Sequence, residues 1–146
     1  VASGVYANAK YLIATDQLGW ASPSTVFRGM LVGAAYVFNH VQSMVSDIAA
    51  YEVSGGTYAR TTITGRTVNL DLAGNRALFD SHNALFPTLS GVTPSGLVIY
   101  KQTGGNDDTP GNDPLICFVD FPTTPTTGLG YLVEFDISGV FTLTAC

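Results

Sequence analysis

From residue 51 onward, short runs of β-branched, aromatic and aliphatic residues are cut at near-regular intervals by Gly, Pro, Asn and Ser. That punctuation leaves no room for helices of ordinary length and shows no strand–helix–strand rhythm, so this part of the chain reads as strands joined by tight turns. Strands are expected over 58–64, 67–72, 76–79, 96–103, 115–121, 131–136 and 140–144. Over 67–72, Val68, Leu70 and Leu72 alternate with Thr67, Asn69 and Asp71, the pattern of a strand with one face buried. The run over 115–121 is the most apolar and is expected to be central.

The first third is more mixed. Residues 5–14 carry good helix formers, with Val5, Tyr6, Ala9, Leu12 and Ile13 spaced for a short helix or, as an alternative, a strand. The loop over 15–24 holds Gly19, Pro23 and a single Trp20 expected to fold back as an anchor. Residues 25–33 read as a strand with Arg28 as its only charge. Over 36–49, Val37, Val41, Met44, Val45 and Ile48 repeat at helical spacing and predict a short amphipathic helix. The expected fold is therefore mainly β: a β-sandwich or jelly-roll-like domain with one or two short helices in the N-terminal third. One domain is expected over 1–146, with 1–24 as a candidate N-terminal arm. Val1 to Gly4 do not begin a charged-then-apolar leader, and the chain reads as one whose initiator Met was removed.

Composition narrows the function classes. Only 12% of the 146 residues are charged, against about 25% in typical domains. Interface cores are likewise depleted in charge and enriched in Tyr and Phe, so the chain is expected to associate. Net charge is −5, and the six cations, Lys10, Arg28, Arg60, Arg66, Arg76 and Lys101, are scattered. Nucleic-acid binding needs a basic footprint on the phosphates, so no nucleic acid is expected as a partner. Anionic membranes are disfavoured for the same reason, and the apolar stretch over 30–38 is too short to span a bilayer. Cys117 lies inside an apolar run and Cys146 is the last residue. Free thiols are expected, although a bridge would form if the terminal strand passed beside 115–121.

No catalytic, cofactor-binding or metal-binding residue is assigned. His40 and His82 are isolated and lack ligand spacing. Asp80-Ser81-His82 has the residue types of a hydrolytic triad, but such partners meet from distant parts of a chain. There is no G-x-S-x-G elbow and no glycine-rich phosphate loop. Of the two glutamates, Glu134 sits opposite the apolar positions of its strand. The loop over 104–114, with Asn106, Asp107, Asp108, Asn112 and Asp113, has oxygens able to hold Ca²⁺. The same residues are those that turns prefer, and a hairpin loop is the expected reading.

Several segments in order resemble a known family. Val45-Ser46-Asp47-Ile48, Glu52 to Tyr58 and Thr64 to Val68 resemble the "SD[IV]", "EVSGTGY" and "LTGKTV" runs of small virion structural proteins of tailed bacteriophages. Phe86-Pro87 stands where that family usually has Trp-Pro. Val98 to Lys101, then Pro114 to Phe121, resemble "AVIYKDTG…PLIGYVDF", and Ser138 to Thr144 resembles "AAGIFTLT". The likeness runs over about 36–144. Residues 26–32 depart from the family's "IKVMLLTS" strand.

The resemblance implies a β-rich, non-enzymatic component of the phage virion, of the head-decoration or fibre type. A capsid decoration (cement) protein on the major capsid protein, forming a homo-oligomer with a trimer favoured, is the leading expectation. A head–tail connector or a tail or fibre component contacting another virion protein, a receptor or a glycan is the alternative. Contacts are expected from 1–24 and from the loops over 104–114 and 122–130, which rigid sandwiches commonly use.

Overall fold

The three most continuous apolar runs become the middle of one sheet, buried on both faces. The structure, a computed structural model, describes residues 3–144. In chain order its elements are β1 (Gly4–Val5), α1 (Ala7–Ala14), β2 (Val26–Val32), β3 (Thr61–Thr62), β4 (Thr67–Asp71), β5 (Arg76–Asp80), β6 (Ala84–Phe86), β7 (Gly96–Gln102), β8 (Leu115–Asp120), β9 (Tyr131–Val133) and β10 (Phe141–Thr144). They form a five-stranded sheet β1-β8-β7-β2-β3, a three-stranded sheet β10-β5-β4 and the pair β6-β9. All pairings are antiparallel. The domain is mainly β and sandwich-like, with one short helix near the N-terminus.

Alternation along β2 and β7 divides the core. Phe27, Leu31, Leu97 and Ile99 face α1, Trp20 and the two smaller sheets. Met30, Val32, Val98 and Tyr100 face Tyr6, Tyr36, Val45 and Ile48. A strand covered on both sides needs apolar residues at nearly every position, hence the long apolar runs, interrupted in β2 by Arg28. Gly29 keeps this packing close, since a Cβ there would stand 2.9 Å from Leu97. A bulge between Ile99 and Tyr100 places Ile116 as an extra residue in β8.

The amphipathic helix expected over 36–49 does not form. Two separate 3-10 turns, Val45–Asp47 and Ala49–Tyr51, occupy its end, and Val37 and Val41 are exposed. The main chain has better partners elsewhere. Val45 N–H donates to Asp113, Ser46 N–H to Pro110, and Ser43 C=O accepts from Leu115 N–H. Asp47 gathers the Ser43 and Met44 N–H groups at 2.8 and 3.1 Å. Side-chain capture of this kind competes with the helical ladder. The segment instead lies across the sheet and inserts Tyr36, Val45 and Ile48.

Residues 3–24 are likewise not an arm held away from the body. β1 pairs with β8. Tyr6, Ala9, Leu12, Leu18 and Trp20 are buried, and the Tyr6 hydroxyl lies 2.5 Å from that of Tyr36. Deleting residues 1–10 removes β1, half of α1 and the Tyr6 ring. A buried aromatic is worth about 3–5 kcal/mol, so the melting temperature is expected to fall by about 10 °C. Differential scanning calorimetry showing an unchanged midpoint would contradict this placement.

Candidate interaction surface

Most cations of this molecule are turned toward the body. Arg60 forms a two-pronged pair with Glu52, Nε to Oε1 and Nη2 to Oε2 both at 2.7 Å. Tyr58 donates its hydroxyl to Glu52 at 2.7 Å and accepts from Leu31 N–H at 3.1 Å. Arg60 Nη1 donates to the Tyr100 hydroxyl at 3.0 Å, and Tyr100 donates to Asp107. Arg28 and Arg60 approach Asp107 at 3.6 and 3.7 Å. Arg66 donates to the Ser22 and Thr25 carbonyls and lies over the Phe27 ring. Arg76 holds Asp71 at 2.8 Å, and Lys101 donates to Gln17 C=O. Five of the six cations are thus engaged within the chain.

This network fastens the loop over 104–114. Burial works against charge on Asp107, but hydrogen bonds from Tyr100 and Gln102 and the Arg28 and Arg60 guanidiniums outweigh it and hold the carboxyl below its usual range. Asp113 is fully buried and accepts from Thr103 N–H and its hydroxyl at 2.8 and 2.9 Å. Of the carboxylates that suggested Ca²⁺, Asp107 and Asp113 are therefore drawn toward the body at separate places, while Asp108 is exposed. Among the described residues no three or more His, Cys, Asp or Glu come together as a metal site would need.

The buried phenols predict an alkaline limit. Burial, then hydrogen bonds and charges of Glu52 and Asp107, pushes Tyr58 and Tyr100 far above the ordinary value of 10.0, and burial beside Tyr36 does the same to Tyr6. A raised folded value means stability is full below pH 10.0 and falls as pH rises, because only the unfolded chain then ionises these groups. In an ultraviolet titration these phenols are expected to ionise together with the loss of circular dichroism. Titration of all seven tyrosines near pH 10 with the fold intact would contradict it.

The other singled-out groups do not converge. His40 lies beside the start of α1, where its C=O accepts from Ala7 N–H. The His82 ring lies against Gly65. Ser81 donates to its neighbour's main chain, His82 C=O, and Asp80 accepts from Ser81 N–H, so Asp80-Ser81-His82 forms no relay. Glu134 is exposed at a cleft of about 220 Å³ lined also by Asp120, Phe121 and Tyr131. Cys117 is buried, which pushes its thiol up; Cys146 lies outside the described residues. The loop over 122–130 is tied down through Thr126, whose hydroxyl donates to Val92 C=O at 2.6 Å, and through Thr124 N–H to Pro94 C=O.

Part of what faces outward is apolar. The alternation over 67–72 does form a strand, but its apolar side is not buried. Leu70 and Leu72 are 75% and 81% exposed, and Val68 and Leu143 are each 46% exposed. The same face of β10-β5-β4 carries Phe79 and Phe141, which Trp20 covers at ring distances of 6.5 and 5.2 Å. The cover ends there, and the hairpin tip runs on past it. On β6-β9, Leu85 and Leu132 stand opposite one another, both half exposed. Contiguous exposed apolar surface marks interaction sites. The period-2 pattern over 67–72 carried this signal, because a strand pattern reports that one face is apolar without naming what covers it. No protein-family model, no curated protein and no solved structure matches this chain.

Proposed function

We propose that this chain is a non-enzymatic structural component of a tailed-phage virion, a capsid decoration protein that stabilises the head by seating on the major capsid protein. The observation that carries the reading is the inversion of the usual surface. Five of the six cations are spent on ties within the chain, while Val68, Leu70 and Leu143 on one sheet, and Leu72 in the turn that follows β4, are turned to solvent. Such a surface suits permanent contact with other protein, since desolvating it costs little. The ordered resemblance over 36–144 supplies the virion setting, and closed symmetry is the usual arrangement for homo-oligomers.

The test uses phage heads stripped of minor proteins. Purified chain is expected to bind them saturably, at a copy number matching the shell's symmetry, and to raise their resistance to heat. Absence of head binding, with binding to host cells or glycans instead, would replace this reading with a tail or fibre role.

A further inference from the structure

We propose that the open edge of β4 pairs antiparallel with β4 of a second copy of this chain, about a twofold axis centred on Asn69. The main chain of β4 is prepared for this. Phe79 on β5 turns its carbonyl toward β10, where Val140 N–H donates to it at 2.8 Å. Successive residues of an antiparallel strand turn their main-chain groups to opposite sides, so Arg76, Leu78 and Asp80 face β4. Their register partners Asp71, Asn69 and Thr67 therefore bond inward. The N–H and C=O groups of Val68 and Leu70 point into the open edge.

This edge is also the longest among the described residues. β4 has five residues, against two in β1 and β3, three in β6 and β9 and four in β10. Sheet edges are normally protected by proline, lysine, bulges or shortness. β4 has none of these, and its one charge, Asp71, is already held by Arg76.

The strand is complementary to itself. With Asn69 opposite its own copy, Val68 lies across from Leu70 of the second copy, and Leu70 across from its Val68. Each of these two pairs can exchange both main-chain hydrogen bonds, and each gives an exposed apolar side chain an apolar neighbour. Thr67 falls opposite Asp71 of the second copy, a hydroxyl facing a carboxylate, and no carboxylate faces another. One strand and its side chains make a small contact, under about 1,200 Å² in total, so association is expected to be reversible and concentration-dependent. The pairing is independent of the virion role and gives a dimer rather than the trimer implied by the resemblance.

Sedimentation velocity from low micromolar to near-millimolar concentration is expected to show the mass rising from one chain to two. Leu70→Pro removes an N–H that faces the open edge and leaves the β4–β5 ladder whole; it is expected to keep the melting temperature and abolish the dimer. In a Cys146→Ser chain, Asn69→Cys is expected to form a covalent dimer on mild oxidation, because a non-hydrogen-bonded antiparallel pair brings Cα atoms within disulfide reach. Thr67→Cys is not expected to do so. A chain that stays monomeric throughout, or a dimer or trimer that survives Leu70→Pro, would overturn the proposal. So would crosslinking through Thr67→Cys as readily as through Asn69→Cys. If Leu70→Pro unfolds, the cysteine pair still decides. Head binding by a persistent monomer would sink the pairing and leave the proposed function standing.

Discussion

Trp20→Ala is expected to destabilise the fold by about 3–5 kcal/mol, as truncation of a buried large aromatic does. The indole is 2% exposed and lies 4.8 Å from the Phe27 ring and 5.2 Å from that of Phe141. It therefore bridges the large sheet, through β2, and the small sheet, through β10. Its Nε1–H donates to Asp80 C=O at 2.9 Å, so removal also takes a donor from that carbonyl at the end of β5. Chemical denaturation should show the midpoint falling with little change in slope. Trp20→Phe would retain the packing and lose the hydrogen bond, and is expected to cost about 1–3 kcal/mol. A loss below about 1 kcal/mol for Trp20→Ala would mean that the two sheets do not depend on this ring for their cohesion.

Arg60→Met is expected to cost nearly as much. It leaves Glu52, with its side chain 18% exposed, without its cation, and removes one of the two guanidiniums near Asp107. Breaking a buried pair from one side costs about 3–5 kcal/mol; residual solvent access here points to the lower part of that range. The double change Arg60→Met with Glu52→Leu is expected to cost less than Arg60→Met alone, since no unpaired charge then remains. Measured additivity of the two single changes would contradict the coupling. A second consequence is local. Asp107 and Tyr100 fasten the loop over 104–114 through this network, so hydrogen exchange in that loop should rise in Arg60→Met and change little in Trp20→Ala.

Both expectations concern residues whose importance was unequally legible. A lone tryptophan in a Gly- and Pro-punctuated loop reads as an anchor, because so large an apolar side chain has to be buried somewhere. Arg60 and Glu52 stand eight residues apart with a glycine turn between them, and no spacing rule joins such positions. They meet because Glu52 bridges to Val32 at one edge of β2 and the chain returns to the same edge at β3. The helix expected over 36–49 failed for a related reason. Its periodicity was real, but hydrogen bonds from 43–46 to 110–115 satisfied the main chain better than a helical ladder would. Those partners are more than sixty residues away in sequence.

Local chemistry alone determined the three central strands of the large sheet, β2, β7 and β8, together with the turns and the mainly β class, since each follows from apolar β-forming runs and from the few residues that tolerate a turn; it left 5–14 open between helix and strand and did not single out the short edge strand β1. Tertiary structure decided which apolar faces are covered. Val68, Leu70 and Leu72 have the same alternating pattern as residues that end up buried, yet they stay exposed, because the Trp20 loop stops at Phe79 and Phe141. Hydrophobic patterning fixes which face seeks to leave water; only the arrangement of the remaining elements fixes whether this chain or another supplies the cover.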